Sequence, residues 1–157
     1  MPRLRFFVPT NRRDRRGNKA PLDGLNELVG SNRSGWRYGS ARKRENGQNA
    51  EAACLAAMRE QGWVTPDVRC VVTMTFVEPH RRRDPDNVYG GAKFILDGIT
   101  ERRGSRQYGA GAIHDDSQKW MRLVLDPDIR VDRERVGCWV TIETEEDVGD
   151  EGPSQGG

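Results

Sequence analysis

Hydrophobic positions change their spacing along this chain, and each spacing predicts one kind of element. Apolar and polar residues alternate over residues 68–77, which is typical of a β-strand with one buried face. Apolar residues recur at intervals of three and four over residues 86–101, so this segment is predicted to be an amphipathic helix. The apolar stripe of that helix consists of Val88, Ala92, Ile95, Leu96 and Ile99.

The remaining elements follow from shorter patterns. Good helix formers fill residues 50–61 and Gly62 ends them, which predicts a second helix. Further strands are predicted over residues 4–8, 119–125 and 136–143. The sequence D-P-D at residues 126–128 is typical of a hairpin turn between the last two strands. The resulting order β-α-β-α-β-β predicts an α/β (α+β) fold, in which helices pack on a small mixed sheet.

The chain has the length of one domain, and its apolar residues are concentrated in the middle and C-terminal parts. We predict a single domain over residues 1–146. Within it, residues 10–49 are predicted to be a long polar arm that could be mobile, with a brief helical turn near residues 22–29. Residues 147–157, which are acidic and rich in glycine, are predicted to be a disordered tail.

Charge is distributed unevenly along the chain. The net charge of +2 conceals a charge of +8 over residues 1–50 and of −6 over residues 140–157. Arginine supplies most of the positive charge, with 22 Arg against 4 Lys, and arginine forms planar, bidentate contacts with phosphate. This asymmetry indicates a nucleic-acid partner, although a solvated, arginine-rich surface would give the same composition.

Other features of the composition exclude several classes of protein. No apolar run approaches the roughly 18 residues of a membrane span, and the N-terminus lacks the apolar core of a signal peptide. Cys54, Cys70 and Cys138 are odd in number and far apart, which favours reduced thiols over disulfides or a zinc site. We therefore expect a cytoplasmic protein with no membrane contact.

The candidate chemistry lies in the sequence R-R-R-D-P-D-N at residues 81–87 and in the helix that follows. A helical projection places Asp86, Lys93 and Asp97 on one face, opposite the apolar stripe. Two aspartates at residues 115–116 lie in a loop before a strand and could approach the same corner. Carboxylates gathered without histidine or thiolate favour Mg²⁺ or Mn²⁺, and neighbouring arginines provide a clamp for phosphate. Such a set suits metal-assisted phosphodiester hydrolysis.

Ordinary structural roles explain part of this pattern. An aspartate at a helix N-terminus is usually a cap, which alone explains Asp86, and two aspartates before a strand can form a turn. A calcium EF-hand loop is excluded, because Val88 and Tyr89 would occupy its fifth and sixth positions. The second D-P-D, at residues 126–128, has no basic run or lysine-bearing helix beside it. It therefore offers an internal comparison for the first.

The motifs of residues 81–118 form an ordered set. A basic run and D-P-D-N are followed by Lys93 on the helix, by Asp97-Gly98 near the helix end and by D-D-S-Q before a strand. This set resembles the RusA family of Holliday-junction resolvases, which are frequent in phages and prophages. The resemblance covers about residues 68–125, and the combined motif is specific although D-x-D alone is not.

The resemblance implies a Mg²⁺-dependent endonuclease, with Mn²⁺ as an alternative, that resolves four-way DNA junctions by paired symmetric nicks in recombination and repair. It implies that Asp84, Asp86 and Asp116 are the essential metal-site carboxylates, that Asp115 supports them and that Lys93 lies near the scissile phosphate. It also implies a homodimer in the cytoplasm of a prokaryotic or phage-infected cell. The predicted DNA contacts are Arg81, Arg82, Arg83, Lys93, Arg102 and Arg103.

The chain departs from the simplest family pattern at three places. Gly90-Gly91 stands between Asp86 and Lys93, the loop before residue 115 is long, and the arm is large. Two glycines inside a helix cost about 1 kcal/mol each relative to alanine, so the helix is expected to be irregular there or to start late.

Two other functions remain open from the sequence. One is a non-catalytic DNA-binding or accessory protein that uses the arginine-rich arm. Such a protein would bind DNA equally well in EDTA and would never nick it. The other is a structural module with a calcium-like acidic patch and no nucleic-acid partner, against which the charge of the arm argues.

Overall fold

A computed structural model describes residues 3–33 and 36–146, and it folds them into one mixed sheet with helices packed on it. The strands are β1 (Leu4–Pro9), β2 (Cys70–Glu78), β3 (Met121–Leu125), β4 (Arg130–Val131) and β5 (Gly137–Thr144). The helices are α1 (Leu25–Arg33), α2 (Trp36–Gln61), α3 (Pro85–Tyr89) and α4 (Ala92–Ile99). The predicted α+β class is confirmed. Within these ranges no helix is long and apolar enough to cross a membrane.

The sheet has the order β1-β5-β2-β3, and the short β4 pairs with the end of β2. β5 is antiparallel to both β1 and β2, whereas β3 and β4 are parallel to β2. The predicted hairpin between the last two long strands is therefore wrong, since β3 and β5 lie on opposite sides of β2. The D-P-D segment instead contacts β2 and α3. Asp126 accepts hydrogen bonds from the hydroxyl of Thr75 on its carboxylate (3.0 Å) and from that of Tyr89 on its carbonyl (2.7 Å).

Alternate residues of β1, β2 and β5 are buried under α2 and α4 and form the core. The predicted apolar stripe over residues 88–99 is confirmed, because all five of its members are buried. The three cysteines are also buried and free, as predicted. Burial raises the pKa of Cys54 to about 12 and that of Cys70 to about 11, so both thiols stay protonated and unreactive near neutral pH.

The helix predicted over residues 86–101 is divided into α3 and α4 at Gly90 and Gly91. Both glycines face the segment that leads into α1. A Cβ atom on Gly90 would lie 2.5 Å from the backbone nitrogen of Leu25, and one on Gly91 would lie 2.8 Å from the carbonyl oxygen of Asp23. A side chain does not fit at such distances. The two glycines therefore allow the arm to pass directly over the junction of the two helices.

The arm has more regular structure than the apolar pattern predicts. It contains α1 and the first half of α2, so the helix predicted over residues 50–61 in fact starts at Trp36. The turn predicted near residues 22–29 is the start of α1. The tail over residues 147–157, which the sequence predicts to be disordered, lies outside the described residues.

A buried carboxylate, Asp23, holds the arm in place. It accepts hydrogen bonds from the guanidinium of Arg12 (2.9 and 3.2 Å), from that of Arg42 (2.6 and 2.7 Å) and from the amide of Asn46 (2.8 Å). Burial raises the pKa of Asp23, but hydrogen bonds from Arg42, Asn46 and Arg12 outweigh this effect and lower it. Since this cluster is polar, hydrophobic spacing could not have predicted it.

Candidate functional site

The first acidic segment lies at the corner between β2 and α3. Asp84 precedes Pro85, which favours extended backbone, and it is extended at φ −66° and ψ 144°. Its carbonyl accepts the N–H of Asn87 (3.0 Å), while its side chain forms no capping hydrogen bond. The carboxylate of Asp86 accepts the same N–H (2.9 Å). Both carboxylates are exposed and form no ion pair with the described residues, so the corner presents two free negative charges.

The arginine that precedes this corner has a structural role. Arg83 donates two hydrogen bonds to the buried carboxylate of Glu78 (2.8 and 3.0 Å), one to Glu27 (2.8 Å) and one to the carbonyl of Leu22 (2.9 Å). Its side chain is only 13% exposed. Of the three arginines predicted to clamp phosphate, Arg83 is thus directed inward and fixes the corner to the arm.

Arg81 and Arg82 differ from Arg83 in both exposure and pairing. Both side chains are exposed, and neither forms an ion pair with any residue in the described ranges. The backbone N–H of Arg82 donates to Nδ1 of His80 (3.3 Å). Two guanidinium groups beside the corner therefore remain available to an external anion.

Lys93, in the first turn of α4, connects the helix to the second acidic segment, which is residues 115–116. Its ammonium lies 3.1 Å from Oδ1 of Asp97, one turn further along α4, and 3.9 Å from Oδ2 of Asp116. The predicted shared face of Lys93 and Asp97 is therefore present. Asp86, predicted for the same face, forms no hydrogen bond or ion pair with either of them among the described residues. The structure thus brings together Lys93, Asp97 and Asp116, and it leaves Asp86 on the neighbouring helix.

Asp115 has an unusual environment beside this cluster. Its Oδ1 is buried and has no hydrogen-bond partner among the described residues. Nη1 of Arg103 lies 2.9 Å from that oxygen without the alignment of a hydrogen bond. Burial raises the pKa of Asp115, but the neighbouring groups of Asp116 and Ser117 and the charge of Arg103 outweigh this effect and lower it. The carboxylate is therefore ionised near neutral pH and has an oxygen with unused acceptor capacity.

An arginine that the sequence does not single out organises the loop between α4 and β3. Arg106 contacts Oδ1 of Asp97 (3.1 Å), and it donates to the hydroxyl of Thr100 (2.9 Å) and to the carbonyls of Glu101 (2.6 Å) and Tyr108 (3.2 Å). Asp97 is consequently shared by two cations. No periodic signal marks Arg106, because it lies in an irregular loop.

A second unpredicted group surrounds His114, next to Asp115. Its Nδ1 lies 2.6 Å from a carboxylate oxygen of Glu101, and its Nε2 lies 2.8 Å from one of Asp67. Hydrogen bonding to Asp67, followed by that to Glu101, raises the pKa of His114. Asp67 is 47 residues away in sequence, so no local motif could have predicted this contact.

The remaining predicted DNA contacts lie in the same loop. Arg102 is 62% exposed and lies 3.5 Å from Glu51, and Arg103 is 61% exposed beside Asp115. Each has one carboxylate partner and a largely solvent-accessible guanidinium. They extend the positive charge around the acidic cluster.

The structure is that of an α+β protein with exposed acidic and basic side chains at the corner before α3, along α4 and in the loop that follows α4. In the described part of the chain, no three His, Cys, Asp or Glu side chains are grouped as they are around a metal ion. Comparisons with known protein families, with curated proteins and with solved structures give no match for this chain.

Proposed function

We propose that this chain is a Mg²⁺-dependent, structure-specific endonuclease that resolves four-way DNA junctions. The observation that carries the proposal is the contact of Lys93 with Asp116 across 3.9 Å, because it pairs the lysine and one aspartate of the RusA-like motif. These residues are 23 positions apart in sequence and lie on different elements. An ordinary helix cap or turn, which explains each motif separately, does not require that contact.

Lys93 is suited to act on the phosphate that is cleaved. Its side chain is 60% exposed, so its ammonium can reach a phosphate oxygen while Asp97 and Asp116 hold it in place. Hydrolysis adds water to the phosphorus and breaks the bond to the 3′ oxygen, which leaves a 3′ hydroxyl and a 5′ phosphate. Negative charge increases on the phosphate during that step, and a fixed cation stabilises it.

The donor chemistry of the acidic residues fits Mg²⁺. All of the candidate ligands are carboxylate oxygens, which Mg²⁺ prefers, and Oδ1 of Asp115 accepts no hydrogen bond from the described residues, although it forms an ion pair with Arg103. Asp84, Asp86 and Asp116 would hold the ion, and Asp115 would support them. When bound, Mg²⁺ supplies positive charge to the phosphate oxygens and lowers the pKa of water.

Exposed arginines around the site account for binding of the DNA backbone. Arg81 and Arg82 are free of ion pairs with the described residues, and Arg102 and Arg103 are about three-fifths exposed. Arginine on such a surface binds phosphate regardless of base sequence. A homodimer would place two such sites on the symmetry-related strands of a junction. The proposed location is the cytoplasm.

The test is cleavage of a labelled four-way junction, compared with a linear duplex that contains the same sequences. We expect paired nicks in the junction with Mg²⁺, none with EDTA, and little cleavage of the duplex. The nicked products should be sealed by DNA ligase. Absence of nicking with Mg²⁺ and Mn²⁺, when the junction is bound, would contradict the proposal.

A DNA-binding accessory protein is the second candidate, and one observation favours it. The chain turns back at residues 13–19, where Asp14 accepts hydrogen bonds from the backbone N–H groups of Arg16 and Asn18 (2.9 Å each). This turn exposes several basic side chains of the arm, as a backbone-binding loop would. Equal junction binding in Mg²⁺ and EDTA without nicking would favour this candidate. Loss of binding on removal of the turn would then assign the DNA contact to it.

A further inference from the structure

The face of the sheet that the helices leave uncovered carries an ordered set of side chains. Alternation and strand register arrange them in rows across the strands. The first row contains Phe7, Trp139 and Thr75, and the second contains Arg5, Thr141, Thr73 and Val124. A third row contains Glu143, Val71 and Arg122. Six of these ten side chains are polar or charged, so the face does not have the composition of a second core.

One group on this face combines aromatic rings with guanidinium ions. The rings of Phe7 and Trp139 pack edge to face with centroids 5.0 Å apart. The guanidinium carbon of Arg5 lies 4.1 Å from the centroid of Trp139, and that of Arg135 lies 4.6 Å from it and 5.0 Å from the centroid of Phe7. The side-chain amide of Gln61 also fixes the backbone of Arg5 (2.7 and 3.1 Å). We refer to Arg5, Phe7, Arg135 and Trp139 as the aromatic–arginine group.

The positive charge of this group has no counterpart in the described part of the protein. Neither Arg5 nor Arg135 forms a salt bridge with a described carboxylate, whereas Arg12, Arg69 and Arg83 each do. Glu143 is also on this face, but it lies in the third row, which contains a cation of its own, Arg122. Two uncompensated cations packed on half-buried rings thus complement an anion that also has flat, stackable surfaces.

We infer that the uncovered sheet face binds single-stranded nucleic acid through the aromatic–arginine group. Bases freed from a duplex stack on aromatic rings and on guanidinium planes, and the phosphates between them pair with arginine. A duplex keeps its bases stacked inside and offers only phosphates to the same face. The pairing of rings with arginines therefore favours a single strand over a duplex.

A second copy of the chain suits this face less well. In a two-fold contact the patch would meet itself, and two uncompensated pairs of arginines would be brought together. The threonines and charged residues of the rows also differ from the apolar centre that is typical of homodimer interfaces. Charge complementarity thus selects a polyanion over a copy of this chain.

The inference is independent of the proposed nuclease activity. The aromatic–arginine group lies on the sheet face opposite the one that α4 covers, and none of its members belongs to the candidate catalytic set. Binding is therefore measured in EDTA, where Mg²⁺-dependent cleavage cannot take place. If the protein fails to cleave junctions, this inference still stands. If it fails to bind the single strand, the proposed nuclease activity still stands.

The first experiment measures fluorescence anisotropy of a labelled oligothymidylate and of a matched hairpin duplex. We expect the wild type to prefer the oligothymidylate. The double variant Arg5→Gln/Arg135→Gln should weaken its binding about tenfold, whereas Trp139→Phe should retain most of it. Arg59→Gln is the matched control, since Arg59 is an exposed arginine in the last turn of α2 and should bind normally. Unchanged binding by the double variant would overturn the inference.

A second experiment avoids any effect of substitution on folding. An oligonucleotide that contains 5-iodouracil is cross-linked to the wild type by light, and the modified peptides are mapped. Adducts on Phe7 or Trp139 are expected, and adducts confined to other segments would overturn the inference. Light scattering of the double variant tests whether a second copy of the chain binds this face instead. Loss of self-association with unchanged oligothymidylate binding would show a face between copies and would also overturn it.

Discussion

The ammonium of Lys93 lies between two carboxylates from different elements, 3.1 Å from Asp97 and 3.9 Å from Asp116. Asp97 is also 3.1 Å from Arg106, so its charge is already balanced without the lysine. Lys93 can therefore turn toward a bound phosphate without leaving Asp97 unpaired. This arrangement holds a cation in position while most of its side chain remains accessible.

Lys93→Ala should reduce the rate of junction cleavage by about 10²-fold or more and change junction affinity much less, because the benefit of the cation grows as charge develops in the transition state. Arg81→Ala and Arg82→Ala should show the reverse, as ground-state phosphate contacts do. Single-turnover rates and gel-shift affinities on one junction measure both effects. If Lys93→Ala lost rate and affinity in the same proportion as the arginine variants, the lysine would be part of the phosphate clamp only.

Asp84→Asn, Asp86→Asn and Asp116→Asn should each abolish junction cleavage and preserve junction binding. The amide keeps the shape of the side chain but lacks the charge that a metal ion needs. The matched control is Asp128→Asn in the second D-P-D, whose exposed carboxylate forms no ion pair with the described residues. Near-normal nicking by two of the three variants, in an assay where Asp128→Asn is active, would refute the assignment.

The sequence predicted those parts of the fold that depend on local spacing. The apolar stripe of α4, the alternation of β2 and the strands at both ends of the chain all bury one face, and a buried face leaves a period in the sequence. The same reasoning failed for the partner of β3, because alternation describes a single strand. It also underestimated α2, whose first half packs through Arg42 and Asn46 on Asp23.

The candidate site was predictable to a similar degree. Helical geometry was sufficient to place Lys93 beside Asp97, four residues apart. It could not show that Arg83 is directed inward, because its partners Glu27 and Glu78 lie on separate elements. Contacts between distant polar residues depend on the assembled fold and leave no period in the sequence.

Gly90→Ala should destabilise the fold, whereas Gly30→Ala should not. A Cβ atom on Gly90 would lie 2.5 Å from the backbone of Leu25, while one on Gly30 would have no described atom outside its own helical turn within 4 Å. Overpacking of this kind costs about 1–3 kcal/mol, and replacement of a helical glycine by alanine gains up to about 1 kcal/mol. Urea denaturation followed by circular dichroism gives both free energies of unfolding. Equal stability of the two variants would show that the arm does not pass over Gly90 in solution.

His114 should titrate above its ordinary pKa of about 6.5, because its two ring nitrogens contact Asp67 and Glu101. The folded state then favours the imidazolium. The resulting stabilisation is fully present below about pH 6.5, the unfolded value, and it is lost as the pH rises through the folded pKa. NMR titration of the ring proton signals of His114 measures the folded pKa directly.

The variant Asp67→Asn tests whether the contact with Asp67 raises the pKa of His114. Asp67 is 91% exposed, so its replacement should leave the fold intact, and the pKa of His114 should fall toward the ordinary value. The upward shift in the pKa of His114 should also diminish at high salt, since exposed charges are screened. Between pH 6 and pH 8 the wild type should lose more stability than Asp67→Asn does, as measured by thermal unfolding. The difference between the two losses should be less than about 1 kcal/mol. A pKa of His114 that is identical in the two proteins would show that Asp67 does not contact the ring in solution.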